Sequence, residues 1–169
     1  MNVIFLDIDG VINTENNIVF RKETGNRIMD KDGYVFDPVA VGFLKLLIDK
    51  TDAKIVISSS WRHFGLQFFK DLWIEREMPG EVIDLTFSKE TTKRDEQRIE
   101  LQKIPEGQGI SRGDEINAYL ATHPEITNYV ILDDDTDFYE NQNFVQTDLV
   151  HGLDCNSYYN ALEIFMHEY

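Results

Sequence analysis

Three short apolar runs punctuate the chain, and each breaks off into small or acidic residues. They are Asn2–Leu6 (NVIFL), Lys54–Ile57 (KIVI) and Tyr129–Leu132 (YVIL). Continuous runs of branched and aromatic residues, as opposed to alternating ones, mark strands buried on both faces, as parallel strands are. Helical signals lie between them. Asp37-Pro38 reads as an N-cap with proline at the first helical position, continued by Val41, Leu44, Lys45 and Ile48 at helical spacing. Trp61–Glu77 predicts a second helix, ended by Pro79-Gly80. Ser111-Arg112-Gly113-Asp114 reads as a capping box with Asp in place of Glu, opening a helix that runs to about His123-Pro124. Ser157–Glu168 predicts a closing helix, and Val82–Phe87 and Phe144–Thr147 are candidate edge strands.

This alternation predicts a doubly wound, Rossmann-like α/β domain around a parallel sheet. Two stretches exceed a minimal version of it. Residues 12–36 carry Asp32-Gly33 between Arg27–Met29 and Tyr34–Phe36, which predicts a small β-hairpin flap. Residues 88–110 are charged and predict a helix plus a loop. With no repeats and no low-complexity linker, the 169 residues are expected to form one domain.

Charge narrows the function classes. A net charge of -15 disfavours non-specific nucleic-acid binding through a broad basic face, although a local basic pocket from Arg21, Lys22, Lys93, Arg94, Arg98 or Lys103 stays open. The single cysteine, Cys155, rules out an intramolecular disulfide and fits a reducing cytosol, so a cytoplasmic location is expected. No apolar run is long enough to cross a bilayer, and the N-terminal one runs straight into Asp7 with no basic region before it, which argues against a signal peptide. Nothing in the pattern specifies an oligomeric state.

Four polar clusters carry candidate chemistry. Asp7-Ile8-Asp9-Gly10 follows the first strand; residues two apart on an extended chain point the same way, so two carboxylates share one small space. Their repulsion calls for compensation, and a divalent metal with oxygen ligands supplies it. Ser58-Ser59-Ser60-Trp61-Arg62 ends the second strand; hydroxyls and free amides at a helix start can cradle phosphate, while Ser60 alone can equally serve as a cap. Arg112 sits in the first turn of a helix, where the macrodipole disfavours a cation unless it reaches an anion elsewhere, or pairs with Glu115. Asp133-Asp134-Asp135-Thr136-Asp137 follows the third strand and is either a solvated turn or a cation site.

In this order the motifs resemble those of the haloacid dehalogenase-like (HAD) superfamily. Asp7-Ile-Asp-Gly-Val matches its DxDGT/V motif, Ile55–Ser58 its second, Arg112 its third and Val130-Ile-Leu-Asp-Asp its fourth. The strings SSSWR, RGDEI and ILDDD further resemble small HAD domains of RNA-repair proteins. The third motif is more often lysine, so Lys89, Lys93 and Lys103 compete with Arg112. The spacing DDDTD departs from the common GDxxxD form, which leaves Asp137 in reserve behind Asp134 and Asp133.

The resemblance implies a phosphatase in which Asp7 is the nucleophile and Asp9 the general acid/base. It places Mg²⁺ on Asp7, on Asp9 through its backbone carbonyl, and on Asp134 with Asp133 beside it. Phosphate would be held by Ser58 and Arg112, with Ser59 and Arg62 as further candidates. An acid two positions after the nucleophile favours phosphatases and phosphomutases, and the short stretch between Gly10 and Asp37 leaves no room for a large cap, so phosphatase is preferred. The expected substrate is a small phosphomonoester or nucleotide, with the 5′ or 3′ phosphate of a polynucleotide end as the alternative. The competing class is a non-catalytic, acidic metal- or partner-binding module.

Overall fold

The computed structural model describes residues 1–87 and 89–166. Ser88, at the start of the charged insertion, and residues 167–169, including the expected helix end at Glu168, lie outside the described residues.

The three apolar runs form the centre of a five-stranded sheet in which every pairing is parallel. In chain order its strands are β1 (Asn2–Leu6), β4 (Lys54–Ile57), β5 (Val82–Leu85), β6 (Asn128–Asp133) and β7 (Phe144–Gln146), laid side by side as β5-β4-β1-β6-β7. Two further strands, β2 (Met29–Asp30) and β3 (Gly33–Tyr34), form a separate antiparallel hairpin. Period-two alternation splits the buried strand residues between two cores. Ile4, Leu6, Ile55, Ile57, Val130 and Leu132 face one side, against Leu44 and Leu47 of α2 (Pro38–Thr51), Phe69 and Leu72 of α3 (Leu66–Glu75) and Ala161 and Phe165 of α6 (Cys155–Met166). Val3, Phe5, Val56 and Ile131 face the other, against Ile116 and Tyr119 of α5 (Arg112–Thr122). Helix α4 (Arg94–Leu101), inside the charged insertion, packs on α5. The arrangement is Rossmann-like, as the alternation predicts, and no helix among the described residues is long and apolar enough to cross a membrane.

The caps behave as their residue types require. Asp37 accepts from the Val39 amide ahead of α2, and Ser111 with Asp114 closes a reciprocal capping box on α5. Three expectations need correction. The stretch between Ile12 and Phe36 is more than a hairpin: it also holds α1 (Glu15–Glu23), capped by Thr14, whose hydroxyl donates to Asp37 at 2.6 Å. The hairpin turns at Lys31-Asp32, one residue earlier than expected, because Asp30 accepts the Asp32 amide and pairs with Gly33. The helix expected over Trp61–Glu77 is broken at Gly65 (φ 89°), which separates a 3₁₀ turn (Ser60–Phe64) from α3.

One buried carboxyl lies outside the acidic clusters that follow β1 and β6. Asp84 in β5 accepts from the Leu85 amide and from Tyr119 Oη at 3.2 Å, and His123 stacks on that tyrosine. Burial raises its pKa despite these donors and the nearby His123. The native state therefore holds this proton to higher pH than the unfolded chain does. Stability is expected to fall as pH rises through that window. Asp84→Asn should flatten this part of the profile, measured by urea unfolding between pH 4 and pH 8 with a chelator present.

Candidate functional site

Register alone brings the first, second and fourth motifs together. Leu6 lies opposite both Ile57 and Leu132, so the residues that follow, Asp7, Ser58 and Asp133, stand side by side at the carboxyl edge of the sheet. The Asp7 amide donates to the Leu132 carbonyl at 3.0 Å and the Ser58 amide to the Leu6 carbonyl at 2.9 Å, which fixes both. This edge is where open α/β sheets bind ligands.

Beyond Asp7 the chain winds into one tight turn. The Ile8 carbonyl accepts from the amides of Val11, Ile12 and Asn13, and the Gly10 amide donates to the Asn13 carbonyl at 2.9 Å. Gly10 adopts φ 69°, and a Cβ there would lie 2.4 Å from Cγ of Asp134. Glycine is thus required twice, by the turn and by the approach of the second acidic loop. Asp9 is held from two sides: Asn13 Nδ2 donates to Oδ1 at 2.5 Å, and Trp61 Nε1 donates to Oδ2 at 2.8 Å.

Arg112 enters from the first turn of α5 and joins the motifs. Its guanidinium donates to the Ser58 carbonyl and to Asp133, both at 2.8 Å, and lies 3.3 Å from Asp7. Of the lysines that compete for this role, Lys93 donates to the Thr122 carbonyl, Lys103 pairs with Glu100, and Lys89 lines a cavity with Arg62 and His63. Glu115, the other partner open to Arg112, instead takes Arg62 at 2.7 Å. Asp137, held in reserve as a metal ligand, accepts the Arg112 backbone amide at 2.8 Å and so caps α5.

One arginine does not offset the charge gathered here. Asp7, Asp133 and Asp134 each offer an oxygen within 4.8 Å of the others. Burial raises the pKa of all three; for Asp133, fully buried, burial and the nearby Asp7 push it up to about 8 against the pull of Arg112. For Asp7, Arg112 and the Ser59 hydroxyl pull the other way without winning. A hard-oxygen donor set with excess negative charge suits a divalent cation, so these three carboxylates could hold a metal ion. Ser59 is also engaged with the Trp61 amide at 3.2 Å, whereas the Ser58 hydroxyl is buried without a partner.

The family model described as "HAD domain in Swiss Army Knife RNA repair proteins" matches residues 3–157. The chain belongs to this family. Comparison with curated proteins and with solved structures found no match. The match to the HAD domain runs from β1 into the first turn of α6, so it takes in all four clusters and the hairpin. Two residues that the motifs did not single out, Asn13 and Trp61, hold Asp9 in this HAD domain. Asn13 lies four positions after Asp9, one turn away once Gly10 bends the chain. Trp61 stands inside the serine-rich segment, but only the fold shows that its indole reaches Asp9.

Proposed function

We propose that this HAD domain is a magnesium-dependent phosphomonoester hydrolase that works through an aspartyl-phosphate on Asp7. The observation that carries the reading is the alignment of Asp7, Ser58 and Asp133 at one sheet edge, with Arg112 bridging them and Asp134 closing the acidic cluster.

Asp7, Asp133, Asp134 and the Asp9 carbonyl are the groups that would hold Mg²⁺, which when bound offsets charge between nucleophile and substrate. An Asp7 oxygen attacks phosphorus in line, and the phosphorus–oxygen ester bond breaks as the new one forms. Asp9 gives its proton to the departing alkoxide, then takes one from the water that attacks the phospho-enzyme, releasing inorganic phosphate and restoring both carboxyl groups. Trp61 and Asn13 hold the Asp9 carboxyl in one orientation, and each oxygen keeps a second lone pair for the proton. Arg112 and the unpartnered Ser58 hydroxyl are the donors for phosphoryl oxygens. Ser59 and Arg62 act one step back, through Asp7 and through Glu115.

The substrate is a small phosphomonoester or nucleotide. A polynucleotide end is the second reading, and the RNA-repair context of the family favours it. The test is hydrolysis of p-nitrophenyl phosphate and of a nucleotide and oligonucleotide-end panel, with Mg²⁺ and with EDTA. Turnover should require the metal and return when Mg²⁺ is restored. Metal binding with no turnover of any panel member would instead favour a non-catalytic module.

A further inference from the structure

The indole that holds Asp9 has a second neighbour. Its six-membered ring packs under the hairpin, where a Cβ on Gly33 would lie 3.0 Å from Cη2. Beside it opens a cavity of about 430 Å³ between the hairpin and the 3₁₀ turn, lined by Met29, Tyr34, Trp61, Phe64 and Phe68. The rings form a continuous series: Trp61 meets Phe64 edge-on at 6.1 Å, and Phe64 meets Phe68 at 4.8 Å. Phe64 is 52% exposed, and so an aromatic face stands open to solvent one ring beyond the indole that holds Asp9. The lining also carries polar groups. Lys31 is paired with Glu75, His63 faces the Ser60 carbonyl, and Asp32 and the hydroxyls of Tyr34 and Ser60 accompany them.

We propose that this cavity is a nucleobase subsite, so that the phosphate delivered to Asp7 belongs to the same nucleotide whose base lies against Phe64 and Trp61. The inference rests on the phosphatase reading and names its substrate class. Three observations select a base as the occupant. Trp61 belongs to both places, so a ligand in the cavity is within one nucleotide unit of Asp9. The volume exceeds what one phenyl ring fills, and the lining combines π faces with a few hydrogen-bonding groups, as a heterocycle with polar edges requires. Among the described residues the lining holds no unpaired cation, which suits recognition by stacking in place of backbone charge in a chain of net charge -15.

The test compares kcat/KM for nucleoside 5′- and 3′-monophosphates, a short oligonucleotide with a terminal phosphate, ribose 5-phosphate and phosphotyrosine, in wild type, Phe64→Ala and Phe64→Trp. Stacking of one base on an aromatic side chain corresponds to roughly 5- to 140-fold. The ratio of a nucleotide to ribose phosphate should reach that range, collapse in Phe64→Ala and return in Phe64→Trp. Preference for the mononucleotide or for the oligonucleotide end then identifies the source of the base. A wild-type ratio near one, a ratio unmoved by Phe64→Ala, or phosphotyrosine turned over as well as nucleotides would each overturn the subsite. If no phosphomonoester is hydrolysed, the phosphatase reading falls separately, and nucleotide quenching of tryptophan fluorescence decides the subsite. Trp73 is buried and donates to the Pro79 carbonyl, so quenching reports on Trp61. Quenching lost in Phe64→Ala would support the subsite, and its absence in wild type would overturn it.

Discussion

Asp7→Asn is expected to abolish turnover while leaving the fold in place. The substitution keeps shape and removes the attacking charge, so the loss should be on the order of 10⁴-fold or more, because without a nucleophile only binding and oriented donors remain. The structure explains why the fold should tolerate it. Asp7 is buried, and its pKa is raised because desolvation outweighs the attraction of Arg112, so its charge is a net liability to the metal-free chain. An amide oxygen can still face Arg112. The thermal midpoint of metal-free Asp7→Asn should therefore equal or exceed that of wild type, measured by calorimetry in EDTA. A residue whose removal destroys activity without lowering stability is placed for chemistry.

Arg112→Ala should do the opposite and damage both. The guanidinium holds Asp133, the Ser58 carbonyl and Asp7 at once, which joins the ends of β1, β4 and β6. Where Asp133 is ionised, loss of the guanidinium strands a fully buried carboxylate, and breaking one side of a buried pair costs about 3–5 kcal/mol. In the metal-free chain this loss should be greatest at alkaline pH. Below about 8 Asp133 carries its proton in the folded state and has less need of a partner. With Arg112 gone its pKa rises further, so the gap between variant and wild type widens as pH climbs past that value. Removing a phosphoryl donor should lower kcat by about 10²–10³-fold where protein still folds. Arg112→Lys should recover only part of either loss, since one ammonium cannot reproduce the fork. Urea unfolding at pH 6 and pH 9, beside activity assays, separates the two effects.

Much of the architecture was legible because burial on both faces writes parallel strands as unbroken apolar runs. Asn2–Leu6, Lys54–Ile57 and Tyr129–Leu132 are strands where that rule predicts them, and the polar residues that follow gather because parallel strands end at a common edge. Helix α1 was hidden for the converse reason. Among its residues only Asn17 is buried, and Val19 and Phe20 are 57% and 63% exposed, so no apolar stripe marks it. The hairpin register followed a side-chain contact, Asp30 on the Asp32 amide with Arg76 bound to the same oxygen at 2.7 Å, which outweighed the turn preference of Asp-Gly. At the site, Asp7, Asp9, Asp133, Asp134, Ser58 and Arg112 carry motif signals. Trp61 does not, because its contact with Asp9 joins two loops far apart in the chain and depends on the 3₁₀ turn that Gly65 ends. The pairing of Arg62 with Glu115 likewise follows from the placement of α5 and not from any spacing.

The most direct measurement is to trap the phospho-enzyme. Asp9→Asn protein is mixed with p-nitrophenyl phosphate and Mg²⁺, quenched in acid within milliseconds to seconds, digested and examined by mass spectrometry. Because p-nitrophenolate leaves without a proton, Asp9→Asn should still be phosphorylated but should lose the base that activates water, so the intermediate accumulates. One phosphoryl group is expected on the peptide carrying Asp7, absent with EDTA and absent in the Asp7→Asn, Asp9→Asn double variant. A phosphoryl group on another residue, or phosphate released in the double variant at the rate of the single one, would contradict it.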